Sequence, residues 1–309
     1  MARATKNRSK ASGAKPSGAK ASGAKAAAKA KAAAKAKATA EDDAIVATTL
    51  AMLKKLEVRA RLRASGSLPI DVVYVGPTLR AELTRNGLPG ADVRGPVAVG
   101  DVLRVVEDHL AGRERVGRIA IIDGYFERMA AVWHKEILLA LEAGIEVWGA
   151  ASMGALRAAE LAPFGMRGVG SIYERFARGE LTSDDEVAVA HLPVEFDYKP
   201  TSVALVDVRD ALADAKIPDA DRTRLVELAR ARFYRERTWE NLLADAVAAG
   251  ISDRTMDKAV YQFSTSAKAD NARLLLAEMR HADPRKPKKI TVPRTWALAQ
   301  LRTWIAKHR

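Results

Sequence analysis

The stretch Ile145-Glu-Val-Trp-Gly-Ala-Ala-Ser-Met-Gly-Ala-Leu-Arg-Ala-Ala-Glu-Leu161 joins a short apolar run to a helix-forming one. Its first four residues predict a buried strand, and the Ala, Leu, Arg and Glu residues after the small-residue turn predict a helix from about Ser152. A serine on such a turn holds its hydroxyl at the end of the strand, beside the free amides of the helix N-terminus. The same position suits a helix N-cap serine. Ser152 is therefore a candidate nucleophile, with capping as the alternative.

Two earlier apolar runs, Val72–Val75 and Ile119–Ile122, predict further strands, and helical patterns separate the three runs. The Gly- and Pro-rich segment 87–96 predicts a loop, and a long helix is expected from about Met129 to Glu142. This alternation predicts an α/β fold with a parallel sheet core and covering helices. The ends of parallel strands share one edge of the sheet, where ligands gather. The residues expected at that edge are Gly76-Pro77-Thr78, Asp123-Gly124 and Ala151-Ser152. Neither a Gly-x-Gly-x-x-Gly run after the first strand nor a Walker-type loop is present, which argues against a classical nucleotide site.

The N-terminal forty residues differ in composition from the rest of the chain. They contain eleven Lys and Arg and no acidic residue, within repeats of Ser-Gly-Ala-Lys and Ala-Ala-Ala-Lys-Ala-Lys. Such a tail, which resembles the tails of histone H1-like proteins, is expected to be disordered and to attract nucleic acid weakly and without base readout. A merely solubilising extension is the alternative. We predict four segments: the tail (1–40), a linker helix (41–69), the α/β core (70–217) and a helical C-terminal subdomain (218–309).

Cysteine is absent from the chain. This excludes disulfides, thiolate zinc sites, iron–sulfur clusters and a protein persulfide. We expect no metal and no cofactor. The polar N-terminus carries no secretory signal and no apolar run has the length of a membrane span, so we predict a cytoplasmic protein without membrane association.

Lys135 is the first candidate for a base that serves Ser152. It lies in the helical pattern Ala-Val-Trp-His-Lys-Glu-Ile-Leu-Leu-Ala-Leu, which is apolar almost all round and therefore expected to be mostly buried. A lysine that is desolvated near a helix N-terminus favours the neutral amine that a general base requires. The alternative is that the Lys135 side chain extends to solvent beside Glu136 and Glu142.

Six blocks of the sequence, in a fixed order, resemble the TfuA-like family over about residues 70–212. The blocks are Val-Tyr-Val-Gly-Pro-Thr-Leu (73–79), Ile-Asp-Gly-Tyr-Phe-Glu (122–127), Val-Trp-His-Lys-Glu-Ile (132–137), Trp-Gly-Ala-Ala-Ser-Met-Gly-Ala-Leu-Arg-Ala-Ala-Glu-Leu (148–161), Gly-Met-Arg-Gly-Val-Gly (165–170) and Asp-Asp-Glu-Val-Ala-Val (184–189).

The resemblance implies a partner of a YcaO-type enzyme in the formation of thioamides on a substrate peptide. It implies a hydrolase that releases sulfide from the C-terminal thiocarboxylate of a ThiS-like sulfur-carrier protein through a serine–lysine pair. Carried over to this sequence, the nucleophile is Ser152 and the base is Lys135. The amides of Met153 and Gly154 would then stabilise the oxyanion. A non-catalytic adapter of YcaO is the alternative, followed by a nucleic-acid-associated protein that acts through its tail.

Other residues of these blocks are candidates for supporting roles, each with a structural alternative. Asp123 could orient Lys135 or bind loop amides, and Arg157 could receive the C-terminus of the carrier or pair with Glu160. His191 could assist proton transfer or be a surface histidine. His134 is a further candidate. Asp185 belongs to an acidic run that could bind a cation, although a helix cap or a solvated turn is favoured.

Overall fold

The fold is taken from a computed structural model, which describes residues 68–127, 129–260, 266–283, 287 and 289–307 and isolated positions between 44 and 58. The chain divides into two units, Met1–Glu57 and Val58–Arg309. In the first unit the described positions are helical, and Thr48 Oγ1 donates a hydrogen bond to the carbonyl oxygen of Ala44. The predicted tail, 1–40, lies outside the described residues. The boundaries of the four predicted segments remain predictions.

Five parallel strands form the sheet of the second unit in the order β2-β1-β3-β4-β5. The α/β prediction is confirmed. The three strands that the sequence predicts lie at the centre of the sheet, where both faces are covered. The strands are β1 (Ile70–Tyr74), β2 (Asp92–Arg94), β3 (Val116–Ile121), β4 (Glu146–Ala150) and β5 (Arg167–Val169).

Eleven α-helices follow in the described part of this unit. They are α1 (Ala81–Gly87), α2 (Asp101–Leu110), α3 (His134–Glu142), α4 (Met153–Leu161), α5 (Ser171–Ala177), α6 (Leu205–Asp214), α7 (Asp219–Ala231), α8 (Trp239–Ala248), α9 (Asp253–Val260), α10 (Ala267–His281) and α11 (Trp296–Lys307). Short 3-10 turns occur at Ala162–Phe164, Asp184–Glu186 and Val194–Phe196.

The alternation of side chains along β1 separates two apolar layers. Val72 and Tyr74 belong to one core cluster with residues of α2, α3 and α11, whereas Val73 and Val75 belong to another with residues of α10. Successive strand residues point to opposite faces, so α3 and α10 cover opposite faces of the sheet. Both faces of the strand are thereby buried, which explains its unbroken apolar run.

The helical C-terminal region contributes to more than one core. Helices α6 to α9 share an apolar cluster of their own, which includes Leu212, Leu225 and Leu242. Helix α10 instead packs on the sheet. There the buried guanidinium of Arg118 binds both oxygens of Asp71 and donates to the carbonyl oxygen of Met279 on α10. The last two helices are therefore part of the α/β layers.

Two local predictions are wrong. The segment 87–96, predicted as a loop, contains β2. Strand β5, which was not predicted, lies in the block 165–170. Both edge strands have only three residues, too few to produce a periodic pattern. Helix α3 begins at His134, five residues after the predicted start at Met129.

Candidate active site at the ends of the strands

The turn between β4 and α4 holds Ser152 in a fixed position. Ala151 adopts a positive φ of 66°, and the amide of Ser152 donates to the carbonyl oxygen of Ala150 at 2.8 Å. Helix α4 starts close to the sheet: a Cβ atom added at Gly154 would lie only 1.7 Å from the carbonyl oxygen of Ile121. Glycine is therefore required there, and the close approach fixes the first helical turn against the strand.

The hydroxyl of Ser152 does not cap the helix. Ser152 occupies the N-cap position of α4, but its side chain accepts no hydrogen bond from a helix amide. Instead Ser152 Oγ donates to the carbonyl oxygen of Val187 at 3.3 Å, and the residue is 2% exposed. The capping alternative is therefore not what this side chain does.

A lysine from the far end of the chain meets Ser152 at the same carbonyl. Lys268, on the first turn of α10, is 2% exposed, and its Nζ donates to the carbonyl oxygen of Val187 at 2.9 Å. The distance between Ser152 Oγ and Lys268 Nζ therefore cannot exceed the sum of the two hydrogen-bond lengths. The structure brings together Ser152 and Lys268, a pair that the sequence reasoning did not identify.

The surroundings of Lys268 favour a neutral amine. Burial lowers the pKa of Lys268, while the carboxylates of Asp123 and Asp207 oppose this shift. Asp207 accepts hydrogen bonds from the backbone amide of Lys268 at 3.1 Å and from Ser266 Oγ at 3.3 Å. Burial also raises the pKa of Asp207, against the effect of Lys268. A neutral Lys268 amine has a lone pair that can accept the proton of Ser152.

The carbonyl of Val187 follows an ion-paired 3-10 turn, Asp184–Glu186. Asp185 binds the buried guanidinium of Arg237 at 2.6 Å, and Glu186 binds both Nε and Nη2 of Arg209. Asp185, proposed as a supporting site residue, is therefore engaged with Arg237, and its turn holds the Val187 carbonyl in place. In the part of the chain that the structure describes, no three His, Asp or Glu side chains are grouped to hold a metal ion.

The prediction that the strand ends meet is confirmed. Asp123 Oδ2 accepts hydrogen bonds from the amides of Gly76 at 2.8 Å and Thr78 at 3.0 Å, and Asp123 Oδ1 accepts one from Thr78 Oγ1 at 2.5 Å. Of the two roles considered for Asp123, the structure has the binding of loop amides. Asp123, Gly124 and Ser152 line a common cavity.

This cavity has a volume of about 470 Å³ and includes His191 in its wall. His191 Nδ1 lies 2.8 Å from the carbonyl oxygen of Leu192, so the neutral ring carries its proton on Nδ1 and leaves Nε2 as an acceptor. The rings of Tyr125 and Tyr198 pack against it at centroid distances of 5.9 and 5.7 Å. Lys268 lines a second, smaller cavity of about 180 Å³.

Lys135 lies elsewhere. Its Nζ donates to Thr295 Oγ1 at 3.0 Å, beside the segment that precedes α11, and the described residues that line the Ser152 cavity do not include it. The expected convergence of Lys135 with Ser152 is therefore not observed. The prediction placed Lys135 within about two turns of the start of a helix from Met129, whereas it is the second residue of α3.

His134 and Arg157 belong to a separate polar cluster. Arg157 donates to Glu160 Oε2 at 2.7 Å and to the carbonyl oxygen of Val132 at 3.3 Å, and His134 Nε2 lies 2.7 Å from the same Glu160 oxygen. The interpretation that Arg157 and Glu160 pair is confirmed. Among the described side chains around the Ser152 cavity, neither His134 nor Arg157 takes part.

The two amides predicted to bind an oxyanion differ. The amide of Gly154 already donates to the carbonyl oxygen of Ile122 at 3.3 Å, so it is not free for a substrate oxygen. The amide of Met153, at the first position of α4, has no acceptor among the described residues. Met153 is therefore the available donor at this helix N-terminus.

Comparison with known proteins supports the resemblance. Residues 123–238 match the model of the family described as TfuA-like protein. No curated protein matches the chain. Among the described helices, none combines the length and the apolar character needed to cross a membrane. The matched range contains Asp123, Ser152, Val187 and His191, while Lys268 lies beyond it. Residues 123–238 are therefore similar to the TfuA-like family, and this similarity covers the strand-end residues Asp123 and Ser152 but not Lys268.

Proposed function

We propose that this protein is a serine hydrolase that releases hydrosulfide from the C-terminal thiocarboxylate of a ThiS-like sulfur-carrier protein. A YcaO-type enzyme would consume the hydrosulfide to form thioamides on a peptide. One observation carries the proposal: Ser152 Oγ and Lys268 Nζ, both buried, donate to the same carbonyl oxygen of Val187, and Ser152 lines the cavity of about 470 Å³. The choice of a thiocarboxylate as the substrate rests on the similarity to the TfuA-like family.

In the proposed reaction, neutral Lys268 accepts the proton of Ser152 as Oγ attacks the thiocarboxylate carbon. The new carbon–oxygen bond gives a tetrahedral intermediate, and the carbon–sulfur bond then breaks. The proton held by Lys268 passes to the departing sulfur, which leaves as hydrosulfide. Charge balances, because one anion enters as thiocarboxylate and one leaves as HS⁻. Hydrosulfide is weakly basic, so a serine–lysine pair suffices without a histidine triad.

Water completes the cycle. Lys268, neutral again, accepts a proton from water as the water oxygen attacks the acyl-serine carbon. The bond between this carbon and Ser152 Oγ then breaks, and Lys268 returns its proton to Oγ. The carrier's new carboxylic acid releases a proton to solvent and departs as a carboxylate. The amide of Met153 and the positive end of α4 stabilise the oxyanion in both steps. His191, with Nε2 as its free acceptor, is positioned in the cavity wall to hold this water.

The test measures hydrosulfide release from a purified, thiocarboxylated ThiS-like protein. We expect Ser152→Ala to reduce release by at least about 10³-fold, because the acyl-serine no longer forms. Ser171→Ala, an exposed serine at the start of α5, is the matched control and should keep full activity. Undiminished release by a folded Ser152→Ala protein would overturn the proposal and favour the non-catalytic adapter.

A further inference from the structure

Arg235 contributes a guanidinium to the same cavity as Ser152. Its Nη2 donates to Glu127 Oε2 at 3.0 Å and its Nε to Tyr234 Oη at 3.0 Å. Tyr234 Oη in turn donates to Glu127 Oε2 at 3.1 Å. Tyr234 and Arg235 line the cavity, and the side chains of Arg235 and Glu127 are 37% and 50% exposed, so solvent reaches this ion pair.

Arg235 is the one arginine or lysine among the described residues that line this cavity. The arginine first considered for the carrier's C-terminus, Arg157, is bound to Glu160 outside it. Aromatic rings flank the guanidinium of Arg235, with the Phe233 and Tyr234 centroids 5.8 and 5.6 Å from Cζ. These rings restrict the side chain while leaving its charge open to the cavity.

The carboxylate that pairs with Arg235 belongs to a residue with an unusual backbone conformation. Glu127 has a φ of 56°, a value that residues other than glycine rarely adopt. The ion pair is partly exposed, and exposed pairs are weak enough to exchange partners. A guanidinium binds carboxylates and related anions through parallel hydrogen bonds, so a second anion can replace that of Glu127.

We propose that Arg235 recognises the anionic end of the acyl chain as it enters the cavity, with Glu127 as the built-in counter-ion that the substrate replaces. The inference rests on the proposed function, and it adds a selection rule to it: the protein accepts chains that end in thiocarboxylate or carboxylate over neutral ones. Arg235 acts as a specificity residue, and the reacting bond remains with Ser152.

The experiment measures binding, so that it does not depend on turnover. The Ser152→Ala protein is titrated with a ThiS-like carrier that ends in a carboxylate and with the same carrier that ends in a carboxamide. We expect the carboxylate form to bind at least about tenfold more tightly, a preference that one charge-assisted pair can supply. Arg235→Gln in this background should abolish the preference, and Arg235→Lys should retain part of it.

Two further variants sharpen the result. Glu127→Gln removes the competing carboxylate and should tighten binding of the carboxylate form alone. Arg232→Gln is the matched control, because it removes the same charge at a position three residues before Arg235. Arg232 pairs with Asp245 and does not line the cavity. It should leave the preference unchanged.

Failure of this inference is distinct from failure of the proposed function. A Ser152→Ala protein without a carboxylate preference, or a preference that survives Arg235→Gln, overturns the role of Arg235 even if hydrosulfide release depends on Ser152. Conversely, if release survives Ser152→Ala while the preference is lost in Arg235→Gln, the hydrolase proposal fails and anion recognition stands.

Discussion

Helices α3 and α10 cover opposite faces of the sheet, and each carries a lysine in its first turn. On α3 the ammonium of Lys135 is partly exposed and bonds to the hydroxyl of Thr295. On α10 the amine nitrogen of Lys268 is buried and donates to the Val187 carbonyl, which Ser152 also binds. The local sequence favoured Lys135. A lysine becomes a general base when burial lowers its pKa, and the residues that bury it come from distant parts of the chain.

The two lysines provide the largest expected difference. We expect Lys268→Met to reduce hydrosulfide release by about 10³-fold, because a general base contributes about 10²- to 10⁴-fold. Lys135→Met makes the same substitution on the opposite face of the sheet and should reduce release by less than about threefold. Initial rates with a thiocarboxylated ThiS-like carrier, and near-ultraviolet circular dichroism to verify folding, provide the comparison.

Lys268→Arg guards against a folding defect in Lys268→Met. Arginine is of similar length and polarity, but it stays positively charged and cannot become a neutral base, so a folded Lys268→Arg protein should still lack activity. If Lys135→Met lost activity and both Lys268 variants kept it, the comparison between the two helices would be reversed.

Much of the α/β layer could be predicted, because its central strands are apolar on both faces and alternate with helices. The position of Ser152 at the end of a strand could also be predicted, since the strand, the turn and the helix are contiguous in sequence. Lys268 could not be paired with Ser152, because more than a hundred residues separate them and only the docking of α10 on the sheet joins them. A signal did exist: Lys268 occupies the stripe of α10 that continues through Ala272, Leu275 and Met279, and all four are buried.

The buried ionisable residue at the start of α3 is Glu136, the neighbour of Lys135. Glu136 is fully buried, and its carboxylate accepts hydrogen bonds from the amides of Gly100, Leu103 and Trp133. Burial nevertheless raises the pKa of Glu136 to about 7, against these three hydrogen bonds. The pattern predicted a mostly buried helix with Lys135 as the candidate to face inward, but the apolar pattern did not distinguish Lys135 from Glu136, which is the residue that faces inward.

Glu136 therefore gives the next largest effect, on stability. Its pKa in the folded state exceeds the ordinary 4.5, so its contribution to the free energy of unfolding is fully present below pH 4.5 and is lost as the pH rises through about 7. The difference between wild type and Glu136→Gln should shrink by about 3 kcal/mol over this range. Urea unfolding at pH 5, 6, 7 and 8 measures it.

Glu142, on the same helix, is the control with the opposite sign. Burial raises its pKa, but the Val292 amide and the Arg294 guanidinium outweigh burial and lower it overall. The contribution of Glu142 is therefore present above its ordinary pKa and is lost as the pH falls. Glu142→Gln should show no loss between pH 5 and 8, and a similar slope for both variants would contradict the assignment to Glu136.

The smallest expected effect separates the polar cluster at the start of α3 from the cavity. Arg157→Gln removes a partly exposed ion pair with Glu160 and a hydrogen bond to Val132, so it should destabilise the fold by about 1 kcal/mol. Because Arg157 is held outside the cavity, kcat/KM for the thiocarboxylated carrier should change by less than about threefold. Arg235→Gln should instead raise KM without a comparable loss of stability. A loss above about tenfold in Arg157→Gln, with Arg235→Gln unaffected, would return recognition of the carrier to α4.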